Sequence, residues 1–343
     1  MGTIRLIVIY LKIRIIMQVR CVSFNIASAN DMMHLLLHNH NVITDEHVKT
    51  IANNLLTCPA EVDINAINTF ELYAKNWYIL QARQTFTRII DAFNPHVLCL
   101  QELSSGEEHL GITSFLNARG YDIIRGNGLA IAYKKADFHL LHSDRTAPDT
   151  TAALYIDVKV KGTNKVIRIV SDHLAGFNTL KQKMNKNTSK TSNDPIEKEK
   201  AVLGRKRAPE TGDIALVQNI TTVDKLKTHI PFFSCFCNQD APDALIYCLD
   251  ANATARYVSK EHRVHPKRLD QFVRHRFVSD ETDEKPTICD HSTSVAYKFD
   301  YLFAKSAYSV IDHMLPGINS PDMLANPQAS MSDHLPVLAT VTL

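Results

Sequence analysis

The sequence predicts an α/β fold with mixed β-sheets, held in one catalytic-sized domain that carries two insertions. Three features carry this expectation. Strand-like runs recur along the whole chain, and strong helical periodicity interrupts them at "NWYILQARQTFTRIIDAF". Neighbouring runs such as "LAIAYKK", "ALYIDVKV" and "KVIRIVSDHL" follow one another across polar turns. Hairpins are therefore mixed with helical crossovers, which favours mixed sheets over a purely parallel one.

The strand-like runs, in order, are "RCVSFNI", "HVLCLQE", "YDIIRG", "LAIAYKK", "ALYIDVKV", "KVIRIVSDHL", "LIYCLDAN", "YKFDYLFAK", "SAYSVIDHML" and "LPVLATVTL". Each is apolar and rich in β-branched or aromatic residues. In the first helix Trp77, Leu80, Thr87 and Ile90 alternate with polar positions, and Asn94-Pro95 supplies the stop. A second helix is expected at "GDIALVQNITTVDKLKTHI", closed by Pro231.

Two segments read as insertions. Residues 31–75 are helix-prone and lie between the first two strands, where a short crossover would suffice. The second, over 181–212, opens with "KQKMNKNTSKTSNDPIEKEKAVLGRKR", whose nine Lys or Arg face three acids among few large apolar side chains. It is expected to be a basic, mobile loop. Residues 1–16 read as an N-terminal extension or an edge strand ahead of a domain over 17–343, since "MQVRCVSFNIAS" is already a complete first strand.

Composition excludes several classes. At 343 residues the chain can bury a full core without disulfides or a structural metal. A formal charge of +2 with 45% hydrophobic residues is not that of a basic nucleic-acid coat, so any such affinity must be local. Arg5, Lys12 and Arg14 interrupt the apolar N-terminus, which disqualifies it as a membrane span or signal-peptide core. Seven cysteines without a metal or redox spacing read as reduced thiols of a cytoplasmic protein.

Polar residues gather where the strands end. Asn25 ends "RCVSFN", Glu102 ends "HVLCLQE", His173 ends "VIRIVSDH", and Asp250 and Asn252 end "LIYCLDAN". Asp300 sits within "YKFDYLF", and Asp333 and His334 precede the final strand. Each alone has an ordinary structural explanation, as a turn cap, a solvated acid or a packed histidine. Asp250 and Asn252 are two apart, so on an extended stretch their side chains share one side.

The blocks "VSFN", "LCLQE", "SDHL", "LDAN", "KFDYLF" and "SDHLPV", in this order, resemble the signature blocks of the endonuclease/exonuclease/phosphatase superfamily. The resemblance runs from Cys21 to Leu343, with Leu249 where the family usually has glycine before the aspartate. It implies a four-layer α/β/β/α sandwich with two packed mixed sheets, and metal-dependent hydrolysis of phosphoric esters. Hydrolysis of a phosphodiester needs a hard divalent cation bound by oxygen ligands. Glu102 is the first candidate, helped by Asn25 and Asp333, for magnesium or alternatively manganese. By the resemblance His334 is the base that activates water and Asp300 its orienting partner, Asp250 and Asn252 grip the water and a phosphate oxygen, and His173 donates to the phosphate.

The substrate is less constrained. The basic loop and "HRVHPKRLDQFVRHR" suit a polyanion, so a nuclease acting on nucleic acid leads. A phospholipid or small-phosphodiester hydrolase of the sphingomyelinase kind is the alternative. A non-catalytic relative that binds nucleic acid or protein is the alternative of another class.

Overall fold

In a computed structural model the described residues are 17–27, 40–103, 107–126, 128–145, 153–174, 242–252, 276–280, 286–290, 295–320 and 332–343, with single positions 33, 36, 37 and 272. The N-terminal extension, the basic loop and the helix expected over 212–230 lie outside them. Three α-helices, α1 (Glu46–Thr57), α2 (Ile64–Phe93) and α3 (Glu107–Ala118), are described together with 3-10 turns at His40–Val42 and Pro59–Glu61.

Two mixed sheets are packed face to face. The first contains β1 (Gln18–Asn25), β2 (Val97–Leu103), β3 (Tyr121–Gly126), β4 (Gly128–Lys134), β12 (Ser309–His313) and β13 (Val337–Thr342), in the order β12-β13-β1-β2-β4-β3. The second contains β5 (Phe138–Arg145), β6 (Leu154–Val160), β7 (Val166–His173), β8 (Ala244–Asp250) and β11 (Asp300–Lys305), in the order β11-β8-β7-β6-β5. A short hairpin joins β9 (Ile288–Asp290) to β10 (Val295–Tyr297). In the first sheet β1 and β2 run parallel, and in the second β7 and β8 do; the other pairings are antiparallel.

Side-chain alternation sorts each strand into two faces. Cys21, Cys99, Ile131 and Ala339 of the first sheet meet Ile156, Ile169, Ile246, Cys248 and Leu302 of the second in the central core. The opposite face of the first sheet, through Val22, Phe24, Leu98 and Leu100, packs on Tyr78, Phe86, Ile89 and Leu116 of α2 and α3. The outer face of the second sheet buries Tyr247, Leu249 and Phe303 with Phe272 and Phe277. The described cysteines Cys21, Cys58, Cys99 and Cys248 are free thiols, as expected. None of the described helices is long and apolar enough to cross a membrane.

Helix α2 departs from the expectation. It begins at Ile64, capped by the Asp63 side chain on Ala66 N at 2.9 Å, so part of the insertion and the expected helix are one 30-residue rod of about 45 Å. Its end is as expected: Asn94 adopts the left-handed conformation with φ 51° just before Pro95. Its buried face is Phe70, Ala74, Tyr78, Ala82, Phe86, Ile89 and Phe93, which leaves Leu80 53% exposed. A stripe through Leu80 and Thr87 is therefore rotated from the true one, because aromatic residues and small alanines set the contact with the sheet. The N-terminal half of α2 docks α1 through Val48, Ile51, Ala52, Phe70 and Ala74, a cluster joined to the main core by Trp77.

Beside the short hairpin of β9 and β10, strand β5 and helix α3 are absent from the expected set. Strand β5 carries His139, His142, Ser143 and Asp144 and a register shift between Leu140 and His142, which together hide the period of two. The chain changes sheets between β4 and β5, so "LAIAYKK" and "ALYIDVKV" are not hairpin partners. Helix α3 contains Gly111, a poor helix former in isolation. A Cβ there would sit 3.2 Å from Ile79 Cγ2, so glycine lets the two helices approach.

Candidate active site

The inward face of several strands changes character at one end of the sandwich. Cys21, Ser23 and Asn25 succeed one another along β1, and Val97, Cys99 and Gln101 along β2. In the second sheet the rows are Ile169, Ser171 and His173 on β7, and Ile246, Cys248 and Asp250 on β8. On β11, which runs the other way, Asp300 comes first, before Leu302 and Ala304. Parallel register puts Asn25 beside Gln101 and His173 beside Asp250, while antiparallel register puts Asp300 beside Asp250. Apolar core thus passes into a polar end within one continuous layer.

Glu102 reaches this end by a break in the alternation. Regular pleating would send it to the helix-packed face with Leu98 and Leu100. The register on β4 slips between Gln101 and Leu103, and Glu102 has φ 61°, a conformation non-glycine residues seldom adopt. Beyond this bulge it is Leu103 that joins Leu98 and Leu100. The carboxylate of Glu102 is thereby freed toward the strand ends.

Asn25 links the two sheets. Its amide nitrogen donates to Glu102 Oε1 at 3.0 Å and to Asp250 Oδ2 at 2.9 Å. Its oxygen accepts from Ala27 N at 2.9 Å. In this orientation Asn25 braces two carboxylates with its nitrogen, rather than offering its oxygen among them. His173 Nε2 lies 3.3 Å from Asp250 Oδ2 and 3.8 Å from Glu102 Oε1. Asn252 Nδ2 is 2.9 Å from His173 Nε2 and 2.9 Å from Leu174 O. Asp250 and Asn252 meet, but not because they share a face of an extended stretch. β8 ends at Asp250, and Asn252 turns back with φ 46°, its N–H donating to Asp250 Oδ1 at 2.9 Å.

His334 and Asp300 form a second, buried unit. Asp300 Oδ2 is 2.8 Å from His334 Nδ1, with the two residues 0% and 5% exposed. Burial raises the Asp300 carboxyl to about 6, against the pull of the His334 imidazole. Burial would lower His334, but the Asp300 carboxylate and the charges of Asp333 and Asp250 outweigh it and hold the imidazole well above its usual value. Ser332 fixes the approach to this pair: its hydroxyl donates to Asn25 O at 2.8 Å and accepts from His334 N at 3.1 Å. Leu335 N donates to Thr287 O at 2.6 Å, and Thr287 Oγ1 accepts from Asp300 N at 3.0 Å.

Among the described residues two groups bring acid or imidazole atoms within 4.8 Å of one another: Glu102, His173 and Asp250, and Asp250, Asp300 and His334. Asp250 belongs to both. Asp333 belongs to neither; it lies beside His334, with Oδ1 3.4 Å from Ser332 Oγ. Carboxylates braced by an amide are hard oxygen donors, and the buried thiols Cys21, Cys99 and Cys248 belong to the central core. The first group therefore fits a cation such as magnesium or manganese better than a thiolate-seeking metal.

Several supporting residues escaped the sequence reading. Gln101 Nε2 donates to Ser23 Oγ and Ser171 Oγ, each at 3.3 Å, and so ties both sheets beneath the site. The period of two in the rows ending at Asn25 and His173 would have pointed to both serines. Thr287, outside any strong pattern, had no such signal.

No protein-family model matches the sequence, and no curated protein matches it significantly. Solved structures do match over nearly the whole chain. ANGEL2, described as a 2',3'-cyclic phosphatase and solved with adenosine-2',3'-vanadate, is 17% identical with a TM-score of 0.51, covering 96% of each chain. An endonuclease/exonuclease/phosphatase from Bacteroides vulgatus is 15% identical with a TM-score of 0.50, covering 95% of this chain and 98% of its own. Two packed mixed sheets in this order, together with these likenesses, show that the chain has the fold of the endonuclease/exonuclease/phosphatase superfamily.

Proposed function

We propose that the protein is a divalent-metal-dependent phosphodiester hydrolase acting on nucleic acid. The observation that carries this reading is the joint at Asp250, where a braced carboxylate pair adjoins a buried His-Asp pair. Glu102 and Asp250 would hold the cation. When bound, the cation would neutralise charge on the phosphoryl oxygens and on the surrounding carboxylates.

The chain's own groups account for the remaining needs. His334 uses Nδ1 on Asp300, and with a cation offsetting the carboxylates that otherwise keep the imidazole protonated, its Nε2 would be left to accept a proton from the attacking water. Asp300 fixes the tautomer and supports the imidazolium that results. His173, its ring held by the Asn252 amide 2.9 Å from Nε2, would donate to the phosphate as its charge builds. Asn25 keeps the carboxylates from drifting apart between turnovers.

Nucleic acid is favoured by the likeness to a protein described as a 2',3'-cyclic phosphatase and by the basic composition of residues 181–207. The test is hydrolysis by purified protein, in magnesium and in EDTA, of single-stranded RNA, RNA ending in a 2',3'-cyclic phosphate, duplex DNA and sphingomyelin. Magnesium-dependent cleavage of a nucleic-acid substrate is expected. Cleavage of sphingomyelin alone would move the assignment to phospholipids, and no hydrolysis in magnesium or manganese would overturn it.

A further inference from the structure

The turn that carries Asn25 is held from behind by a residue of α2. Tyr78 is 0% exposed, and its hydroxyl lies 3.0 Å from Ile26 O and 3.2 Å from Ala27 O. One hydroxyl proton serves both carbonyls, so the tyrosine grips the two peptide units following the site residue. Ala27 has φ 55°, which costs a non-glycine residue about 1 kcal/mol and persists only where neighbours enforce it. This strained residue supplies the N–H bonded to Asn25 Oδ1.

That bond decides which way the Asn25 amide faces. With the oxygen engaged by Ala27, the nitrogen points at Glu102 and Asp250. A reversed amide would set its oxygen against two carboxylates. The backbone itself has other restraints, Ile26 N to Gln101 O at 3.1 Å and Ser332 Oγ to Asn25 O at 2.8 Å. Losing the hydroxyl therefore loosens the turn without removing the strand end from its place.

We propose that Tyr78 is a positioning residue for the cation-holding carboxylates, acting through the turn at Ile26 and Ala27 and the orientation of Asn25. The proposal rests on the metal-dependent reading above. It extends the working parts of the site from the strand ends to a helix on the far face of the first sheet.

The test is manganese binding to the full-length protein, followed by the electron paramagnetic resonance of free Mn²⁺, for wild type, Tyr78→Phe, Asn25→Ala and the double variant. Removing an outer partner of a metal ligand costs about 10- to 100-fold in affinity, so Asn25→Ala should fall there and Tyr78→Phe at about tenfold or slightly less. The double variant should bind no more weakly than Asn25→Ala, because the tyrosine acts only through that amide. Wild-type affinity in Tyr78→Phe, or penalties that multiply in the double variant, would overturn this inference alone. Absence of manganese binding in the wild type would overturn the metal-dependent reading and this inference with it. Should Tyr78→Phe fail to fold, reciprocity supplies a second measurement on the wild type. Magnesium should slow hydrogen exchange at the Ala27 amide, and unchanged exchange would overturn the coupling.

Discussion

The two halves of the site are built differently. Glu102 and His173 have side chains 27% and 31% exposed, and the backbone at Glu102 and Asn252 lies in the left-handed region. Asp300 and His334 have side chains 0% and 7% exposed, with Asp300 paired in regular register on β8. Glu102 and His173, proposed to meet the cation and the phosphate, stay open and Glu102 is aimed by local backbone strain, while Asp250, common to both halves, is 1% exposed. The His334–Asp300 pair, whose mutual bond needs no solvent, is sealed among strands. Strain is found where the sheet's own periodicity would have pointed the side chain elsewhere.

Breaking the buried half should have the largest kinetic effect. His334→Ala is expected to lower turnover by about 10²- to 10⁴-fold, the range of a lost general base. Asp300→Asn should also be severe, since an amide can stabilise the wrong tautomer. The double variant should be scarcely slower than His334→Ala; multiplicative losses in single-turnover rates would show that the pair is not one unit.

The same half should dominate stability. Asp300→Ala leaves a buried imidazole beside two other carboxylates and is expected to cost about 3–5 kcal/mol in urea unfolding. Glu102→Gln, at a half-open position, should stay within about 0.5 kcal/mol of wild type. Equal costs at the two positions would erase the distinction between the halves.

A smaller effect of opposite sign tests the strain at Glu102. Glycine accepts φ 61° without penalty, so Glu102→Gly should stabilise the protein by about 1 kcal/mol while abolishing tight metal binding. A less stable variant would mean that the bonded carboxylate, not the backbone, governs that position.

Much of this arrangement is legible in the sequence. The rows ending in Asn25, His173 and Asp250 follow from alternation alone, and the final strand places His334 where it meets Asp300. Glu102 was legible as a residue but not as a direction, since a bulge is set by pairing with β4 rather than by its own neighbours. Asn252 meets Asp250 by a route other than the expected one, because a left-handed turn does what an extended strand was expected to do. The face of α2 was misjudged at Leu80, since helical periodicity says nothing of which stripe finds the sheet when alanine and aromatic residues compete for it.

The division between an open cation site and a sealed proton acceptor is tested most directly by magnesium titration of phosphodiester hydrolysis in two variants. Glu102→Gln should raise the half-saturating magnesium concentration by at least about tenfold and recover much of its rate at high metal. His334→Ala should keep the wild-type midpoint and plateau about 10²- to 10⁴-fold lower. A shifted midpoint in His334→Ala with an unshifted one in Glu102→Gln would contradict the account.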